Sequence, residues 1–256
     1  MTKFHVVIPA RQGSTRFPGK PLALLAGQPM ISHVVARARA SGASSVIVAT
    51  DDEQIGSVVH SLGATVAMTN PAHVSGTDRV AEVARQQGWP AGDIVVNLQG
   101  DSPLMPPVNV AQAAALLQTH SQAAISTLCV PIESEADRQN PNVVKVVMDE
   151  TGRALYFSRA PIPATAHGAM PGPAWRHLGL YAYRVGGLAA ISAAPACALE
   201  QSEKLEQLRA LWMGLEIRLA VAREIPGPDV DSPADVPEVE RRLAQMGGNS
   251  AGSSAP

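Results

Sequence analysis

The chain has 256 residues, of which 46% are hydrophobic, and a formal net charge of -2, a composition typical of a globular chain with one large or two small domains. The lack of a basic excess and the aromatic content of only 4% argue against nucleic-acid binding through phosphates or base stacking. The sequence contains no apolar run near the roughly 18 residues of a membrane span, and Cys129 and Cys197 lack metal-ligand spacing, so we expect a cytoplasmic protein with free thiols.

The first predicted element is an apolar strand that starts at Val6 and breaks into a glycine-rich, basic loop over residues 9–20. The candidate anion ligands of this loop are Arg11, Ser14, Arg16 and Lys20. A strand, such a loop and a following helix form a typical phosphate site, because backbone N–H groups point at the anion and cationic side chains close over it. A basic surface loop that binds nothing is the alternative.

The loop is not a Walker A motif. Five residues separate Gly13 from Gly19 where that motif has four, and Pro21 follows Lys20 where the motif has Ser or Thr. The glycine spacing also differs from that of a dinucleotide fingerprint. Because no hydroxyl follows the lysine, a magnesium ion has to be held by other loops.

Strands and helices alternate along the first half of the chain. Further strands are predicted at 46–50, 64–68 and 93–99, and helices at 30–42, 52–62, 77–88 and 107–119, with Asp51 as a cap of the second helix. This alternation predicts an α/β fold with a doubly wound, mostly parallel sheet. Ligands of such sheets bind beyond the carboxyl ends of the strands, where the loops at 9–20, 50–53, 69–79 and 99–103 should lie.

The second half predicts an antiparallel hairpin extension, with strands at 123–131, 143–148 and 154–158 and a turn at Asp149–Gly152. Residues 161–176, rich in Pro, Ala and Gly, predict a loop or mobile flap. Then follow a strand at 178–183, helices at 185–194 and 202–213, a strand at 217–222 and a helix at 233–246. The helix at 202–213 would place Leu205, Leu208, Leu211 and Trp212 on one face, and residues 247–256 should form a disordered tail.

Two carboxylates are candidate magnesium ligands. Asp101 follows Gln99 and Gly100 at the end of the fourth strand, and Asp231 follows the last strand. Each also has a simpler explanation, since Asp101 could fix the turn before Pro103 and Asp231 could cap the last helix.

Other polar groups are candidates for substrate binding. The loop Ser75-Gly76-Thr77 could press its backbone against a nucleobase, although Ser75 or Thr77 could equally cap the next helix. In the second half, His177 could be a core residue, and Glu206 with Arg209 could be a surface pair.

Taken together, these motifs resemble the 3-deoxy-manno-octulosonate cytidylyltransferase family, the CMP-Kdo synthetases. The resemblance runs in order from residue 4 to about 243. Its segments are Ile8-Pro-Ala-Arg-x-x-Ser-Thr-Arg-x-Pro-Gly-Lys-Pro21, Ala49-Thr-Asp51, Ser75-Gly-Thr-x-Arg79, Asn97-x-Gln-Gly-Asp101, Tyr156-Phe-Ser-Arg-Ala160, Arg176-His-Leu-Gly-x-Tyr181 and Leu205-Glu-Gln-Leu-Arg209.

The resemblance implies a nucleotidyltransferase that forms CMP-Kdo and pyrophosphate from CTP and the acid sugar Kdo, for lipopolysaccharide biosynthesis, with Mg2+ as cofactor. It implies catalytic roles for Arg11, Lys20 and Asp101, and metal binding by Asp101 and Asp231. The implied CTP site is Pro9, Ala10, Arg11, Ser14, Arg16, Lys20, Ser75, Gly76 and Thr77. The implied Kdo site is Arg79, Gln99, Arg159, His177, Tyr181 and Glu206.

The family also implies a fold of the nucleotide-diphospho-sugar transferase type and a homodimer. We expect one cytidylyltransferase domain over 1–246, with nucleotide binding mainly in 1–122 and sugar binding and dimerisation mainly in 123–222. The hairpin and the strands of the second half are our candidates for the dimer interface.

One position departs from the family pattern, and two other functions stay open. Ser102 stands where the family usually has Glu, so magnesium affinity falls if that carboxylate takes part in binding, and nothing changes if it only faces solvent. Asp78 replaces a commoner Glu and keeps the charge.

The alternatives are a cytidylyltransferase for another acid sugar, such as sialic acid or an amino-substituted Kdo, and a nucleotide-binding protein that has lost catalysis.

Overall fold

The computed structural model describes residues 3–13, 17–164 and 172–250, the last four of these by their backbone only. The chain divides into two compact units. Unit 1 consists of Met1–Phe4, Gly88–Val96 and Ala111–Arg223, and unit 2 of His5–Gln87, Asn97–Val110 and Glu224–Pro256. The expected single domain and its division near residue 122 stay predictions.

The elements follow one another in chain order. The strands are β1 (His5–Pro9), β2 (Leu24–Leu25), β3 (Gln28–Pro29), β4 (Ser45–Thr50), β5 (Thr65–Met68), β6 (Ile94–Asn97), β7 (Ile125–Pro131), β8 (Lys145–Met148), β9 (Ala154–Ser158), β10 (Trp175–Arg184) and β11 (Ile217–Val221). The helices are α1 (Met30–Ala40), α2 (Glu53–Ser61), α3 (Gly76–Gln86), α4 (Pro107–Thr119), α5 (Glu135–Gln139), α6 (Val185–Ala193), α7 (Ala198–Glu203), α8 (Gln207–Trp212) and α9 (Val236–Ser250). Short 3-10 turns occupy Lys20–Leu22 and Pro233–Asp235.

Unit 2 contains a parallel sheet with β4 between β1 and β5. After His5, the strand β1 is apolar, and Val6, Val7 and Ile8 are fully buried, as expected of a parallel strand covered on both faces. Because the three strands run in the same direction, the loops that follow Pro9, Thr50 and Met68 leave the sheet at one edge. Three of the four loops expected there, those that follow β1, β4 and β5, therefore share that edge, as predicted.

Unit 1 contains a mixed sheet in the order β11-β7-β10-β6. Strand β7 pairs with β11 in parallel and with β10 antiparallel, while β8 pairs antiparallel with both β9 and β10. The β8–β9 pair is the predicted hairpin, closed by a turn in which Gly152 has a φ of 81°. Together the two units confirm the α/β fold class with an antiparallel hairpin extension.

The predicted helix at 202–213 is wrong in detail, because the chain forms two helices, α7 and α8, in that region. Lys204 between them has φ 54° and ψ 44°, a left-handed conformation that ends a helix. Leu205 and Leu208 are buried as predicted, but Trp212 is 62% exposed and does not share their buried face.

The start of β10 and the end of α9 differ from the predictions. Strand β10 begins at Trp175, so it takes up part of the predicted flap, and residues 165–171 of that flap lie outside the described residues. The last helix, α9, extends to Ser250 instead of 246, since adding a residue to an existing helix gains a hydrogen bond with each residue ordered. Residues 251–256 of the expected disordered tail lie outside the described residues.

A hydrophobic cluster in unit 2 fixes the segment that carries Asp231. The buried members are Leu25, Met30, Leu104, Val230 and Val239. Burying a side chain such as that of Val230 stabilises the folded state by about 1.5–3 kcal/mol. This burial anchors Asp229 and Asp231, which flank Val230 in the sequence. In the described ranges, no helix is both long and apolar enough to cross a membrane.

Candidate active site

A cavity of about 310 Å³ opens at the strand-end edge of unit 2. Its lining residues are Pro9, Ala10, Arg11, Gly13, Lys20, Pro21, Ser75, Gly76, Arg79, Gln99, Gly100, Asp101 and Asp231. The cavity therefore unites most of the predicted nucleotide and metal ligands, although they are far apart in the sequence. Thr77 is buried just behind the loop, and Ser14 and Arg16 lie outside the described residues.

The ammonium group of Lys20 connects the basic loop to the acidic ones. Lys20 Nζ donates to Asp101 Oδ2 at 2.6 Å and to the Val230 carbonyl oxygen at 3.0 Å. The Val230 N–H donates in turn to the Asp101 carbonyl oxygen at 2.9 Å. Lys20 follows Gly19, whose φ of 69° lets the loop turn sharply into the 3-10 segment that presents the lysine. One cation and one carboxylate thus face each other beside Asp231.

Two glycines allow the cavity loops to pack closely. A Cβ at Gly100 would lie 2.8 Å from the Pro9 carbonyl oxygen, and a Cβ at Gly76 would lie 3.1 Å from Pro9 Cγ. Real Cβ atoms do not approach a backbone oxygen at 2.8 Å. The loops that follow β1 and β6 can therefore touch only because residue 100 has no side chain.

Arg79 is nearly fully buried at the cavity wall, with 2% of its surface exposed. Its Nη2 donates to Asp51 Oδ2 and its Nη1 to Thr69 Oγ1, both at 2.7 Å. The prediction that Asp51 caps α2 is therefore wrong. Asp52 is the cap, because its Oδ1 accepts from the Ile55 N–H at 2.9 Å while Asp51 turns towards the arginine.

The helix α3 begins at the cavity. Ser75 caps it, accepting from the Asp78 N–H at 3.1 Å, which confirms one of the two expected caps. Gly76 is its first residue, so the positive end of the helix dipole lies at the cavity wall. The capping and ligand-binding interpretations of Ser75 are compatible.

The loop that carries Asp101 is held by local contacts. Gln99 Nε2 donates to Asn97 Oδ1 at 3.2 Å, and the Ser102 N–H donates to the Gln99 carbonyl oxygen at 3.2 Å. Ser102 is only 5% exposed. The effect of the missing Glu carboxylate on magnesium affinity stays a prediction. Asp231 is not the predicted helix cap, since Ser232 and Asp235 form the capping box there.

His177 in unit 1 is a buried residue of β10. Its Nε2 lies 2.9 Å from Thr127 Oγ1, and its ring lies between those of Phe157 and Tyr181, with centroids at 5.0 Å and 5.2 Å. Burial lowers the pKa of His177 to about 3, so the imidazole is neutral. Burial, and then the charges of Tyr183 and Glu206, raise the pKa of Tyr181, whose hydroxyl stays protonated.

Arg159 is held by carbonyl groups of unit 1. Its Nε donates to the Glu203 carbonyl oxygen at 2.7 Å and its Nη1 to the Pro141 carbonyl oxygen at 2.9 Å. Glu206 is half-buried and lies 3.8 Å from Arg209, so the expected pair exists, but Arg209 binds Glu200 more closely, at 2.5 and 2.8 Å.

Sequence reasoning missed two polar residues of unit 1, Thr127 and Lys145, and gave no separate role to Glu203. Thr127 Oγ1 lies beside the His177 ring, the Lys145 ammonium group donates to the Arg159 carbonyl oxygen, and the Glu203 carboxylate accepts from the Arg159 N–H. Only Lys145 carries a signal, since it is the one charge within the apolar run 143–147. A lysine between two pairs of valines on a predicted strand indicates either a buried ammonium group or a side chain on the solvent face of the strand.

Comparison with known proteins gives consistent matches. The family model for cytidylyltransferases matches residues 5–217. The 3-deoxy-manno-octulosonate cytidylyltransferase of Thioalkalivibrio sulfidiphilus is 53% identical over 247 residues, which is 94% of this chain and 98% of that protein. The protein of the same name from Alkalilimnicola ehrlichii is 51% identical over 254 residues, with 96% and 98% covered.

A solved structure is similar over nearly the whole chain. It is a CMP:2-keto-3-deoxy-manno-octonic acid synthetase complexed with CTP. The TM-score is 0.89 at 41% sequence identity, and the match covers 95% of this chain and 99% of the other.

Proposed function

The chain belongs to the cytidylyltransferase family, and from this premise we propose how it transfers CMP from CTP to the anomeric hydroxyl of 3-deoxy-manno-octulosonate. The products are CMP-Kdo and pyrophosphate, and we assign the activated sugar to lipopolysaccharide biosynthesis. The observation that best supports a phosphate-transfer site is the Lys20–Asp101 contact at 2.6 Å inside the cavity of unit 2.

We assign CTP to that cavity. Arg11 and Lys20, with Ser14 and Arg16 of the same loop, would neutralise the triphosphate by charge-assisted hydrogen bonds. Pro9, Ala10 and the Ser75-Gly76-Thr77 segment would bound the cytosine, and the N-terminus of α3 supports an anion beside them. A side chain at Gly76 would crowd the Pro9 ring, because its Cβ would lie 3.1 Å from Pro9 Cγ.

The residues present fit a magnesium ion. Asp101 and Asp231 both line the cavity, and carboxylate oxygens are the ligands that Mg2+ prefers. The described residues contain no group of three or more His, Cys, Asp or Glu side chains that could hold a metal, so phosphate oxygens and water would complete the shell. When bound, the ion would offset phosphate charge and favour ionisation of the attacking hydroxyl.

The side chains of the protein then supply positioning and charge stabilisation. Arg11 and Lys20 would stabilise the negative charge of the departing pyrophosphate. To bind a phosphate oxygen, the Lys20 ammonium group would have to break its hydrogen bond to Asp101. Its second hydrogen bond, to the Val230 carbonyl oxygen, would keep it beside Asp101 and the bound phosphate. In-line attack by the sugar hydroxyl on the α-phosphorus needs no covalent intermediate on the protein.

We assign the sugar to groups of unit 1, namely Arg159, His177, Tyr181 and Glu206, whereas Arg79 and Gln99 of unit 2 stay candidates from the family resemblance alone. Arg159 is our candidate for the carboxylate of Kdo, because two backbone carbonyls fix its guanidinium and further N–H donors of the same group can bind a carboxylate. His177 is neutral and would act as a hydrogen-bonding group rather than as a cation. Tyr181 and Glu206 would supply a hydroxyl donor and a carboxylate acceptor for sugar hydroxyls.

The test is pyrophosphate release from CTP and Mg2+ with a panel of acid sugars. We expect release with Kdo and little with sialic acid. Release with another acid sugar but not with Kdo would replace the substrate assignment. CTP binding without turnover on any sugar would favour the alternative of a nucleotide-binding protein without catalysis.

We also propose a homodimer in the cytoplasm. Leu155 of β9 and Trp212 of α8 are 52% and 62% exposed on elements that pack together, which supports an apolar interface in unit 1. CTP is a cytoplasmic nucleotide, and both cysteines are buried thiols. Light scattering should give about twice the chain mass of 26.7 kDa, and a mass of one chain would contradict the dimer.

A further inference from the structure

Lys145 is a fully buried charged side chain of unit 1, with none of its surface exposed. A buried ammonium group costs several kcal/mol unless its donors are satisfied. Lys145 Nζ donates to the carbonyl oxygens of Asn140 at 2.9 Å, Val143 at 2.6 Å and Arg159 at 2.5 Å. These three bonds use all three donors of the ammonium group.

The three carbonyls belong to Arg159 itself and to the 140–143 turn, which holds the side chain of Arg159. Asn140 and Val143 lie on either side of Pro141, whose carbonyl oxygen accepts from Arg159 Nη1. The third carbonyl is that of Arg159 itself. A single ammonium group therefore fixes both the backbone of the arginine and the turn that orients its guanidinium.

Glu203 fixes the same arginine from the other side. Its Oε2 accepts from the Arg159 N–H at 2.9 Å, its Oε1 accepts from Ser158 Oγ at 2.6 Å, and its carbonyl oxygen accepts from Arg159 Nε. Two of the five N–H donors of Arg159 are thus used on carbonyls, so the plane of the guanidinium is set while it can still bind a carboxylate.

The cluster carries charges of both signs. Burial lowers the pKa of Lys145 most, Arg159 lowers it next, Glu203 raises it and Arg138 lowers it. An anionic substrate group at Arg159 would add a favourable partner for these cations.

We propose that Lys145 is a positioning residue that sets the guanidinium of Arg159 for the carboxylate of the acid sugar. The inference rests on the proposed function, in which Arg159 binds that carboxylate. Lys145 does not touch the sugar, and its effect passes through the Arg159 backbone and the 140–143 turn.

The experiment compares Lys145→Met, which keeps the length of the side chain and removes its donors, with Arg159→Gln and the double variant. Lys145→Met should raise the KM for Kdo about 10-fold or more, because small misplacements of a binding group cost up to 100-fold, with kcat and the KM for CTP within about twofold. In the double variant, Lys145→Met should raise the KM for Kdo little beyond the value of Arg159→Gln alone, because the guanidinium that Lys145 positions is gone.

A matched control separates positioning from stability. Val146→Ala, the next residue of the same buried strand, should lower the melting temperature without changing the KM for Kdo. Lys145→Gln keeps two donors and should raise the KM less than Lys145→Met. If Lys145→Met does not fold, Lys145→Gln decides by its KM, and failure of both to fold would overturn the proposal in favour of a purely structural role.

The outcomes distinguish sugar binding by Arg159 from positioning of Arg159 by Lys145. If Arg159→Gln leaves the KM for Kdo unchanged, the assignment of Arg159 to the sugar fails. If Arg159→Gln raises that KM and Lys145→Met does not, only the positioning role fails. Equal shifts in the KM values for both substrates would also contradict it, because only the sugar should sense Arg159.

Discussion

The charged groups of unit 2 and those of unit 1 are satisfied in different ways. In the cavity of unit 2, Lys20 and Asp101 bind each other while 14% and 29% of their side chains remain exposed. In unit 1, Lys145 and His177 are buried and bind neutral protein groups. The first arrangement can exchange a charged protein partner for a ligand, whereas the second is held by neutral groups inside unit 1 and keeps its geometry. We infer that unit 2 supplies reactive charge and unit 1 supplies fixed geometry.

The largest expected effect tests the reactive character of unit 2. Asp101→Asn should lower kcat about 1,000-fold, because the group would lose its charge for the metal and for Lys20. The melting temperature should change little, since a partly exposed ion pair contributes on the order of 1 kcal/mol at most. Pyrophosphate release and thermal unfolding measure the two quantities, and Mn2+ binding followed by electron paramagnetic resonance gives an independent readout of the metal site.

The control for Asp101 is Glu53→Gln, an exposed carboxylate in the first turn of α2, which should retain full activity. Normal turnover in Asp101→Asn would remove this residue from the chemistry.

A second substitution asks whether unit 2 also contains buried, rigid charge. Asp51→Ala leaves the guanidinium of Arg79 buried without its carboxylate and should lower the free energy of unfolding by about 3 kcal/mol. Asp52→Ala removes only the cap of α2 and should cost about 1 kcal/mol. Chemical denaturation measures both, and equal losses would contradict the distinct roles of these neighbouring aspartates.

The pH dependence of stability tests the rigid character of unit 1. The pKa of His177 is about 3 in the folded protein and near 6.5 when unfolded, so the unfolded chain takes up a proton first as the pH falls. The stabilisation from the neutral ring is fully present above pH 6.5 and is lost towards pH 3. At pH 5 the loss should be about 2 kcal/mol relative to pH 7.

His177→Gln provides the reference for this measurement. Its free energy of unfolding should fall less between pH 7 and pH 5 than that of the unchanged protein. An identical fall in both would show that other groups control acid stability.

The smallest expected effect concerns close packing in the cavity. Gly100→Ala places a methyl group 2.8 Å from the Pro9 carbonyl oxygen and should lower the free energy of unfolding by about 1–2 kcal/mol. It should also raise the KM for CTP, because the loops that follow β1 and β6 would move apart. Gly92→Ala, with nothing within 4 Å of the new methyl group, is the control and should be neutral. No difference between the two would show that the loops adapt freely.

Much of the site follows from local patterns. Apolar runs predicted the strands, and the direction of parallel strands predicted that the loops after β1, β4 and β5 share an edge. The residues around Gly13, Gly19 and Lys20 excluded a Walker A motif and predicted that other loops hold the metal. The candidates on those loops, Asp101 and Asp231, line the same cavity as Lys20. These conclusions depend on residues that are close in sequence, or on a general rule of topology.

Other features depended on contacts that local sequence does not encode. Asp51 and Asp52 are equally suitable caps, and only the buried Arg79 nearby decides between them. Lys204 ends a helix in a segment whose apolar spacing allows the helix to continue. Val230 brings Asp231 to the cavity because it packs into a cluster built from distant segments.

The sequence by itself therefore determined the α/β class, the phosphate-type loop and the family of this protein, because strand periodicity and motif spacing are local properties. The tertiary structure decided which partner each charge has. Lys20 meets Asp101, Arg79 meets Asp51, and Lys145 meets three carbonyls, because burial makes an unpaired charge costly and only the folded chain specifies which groups are within reach.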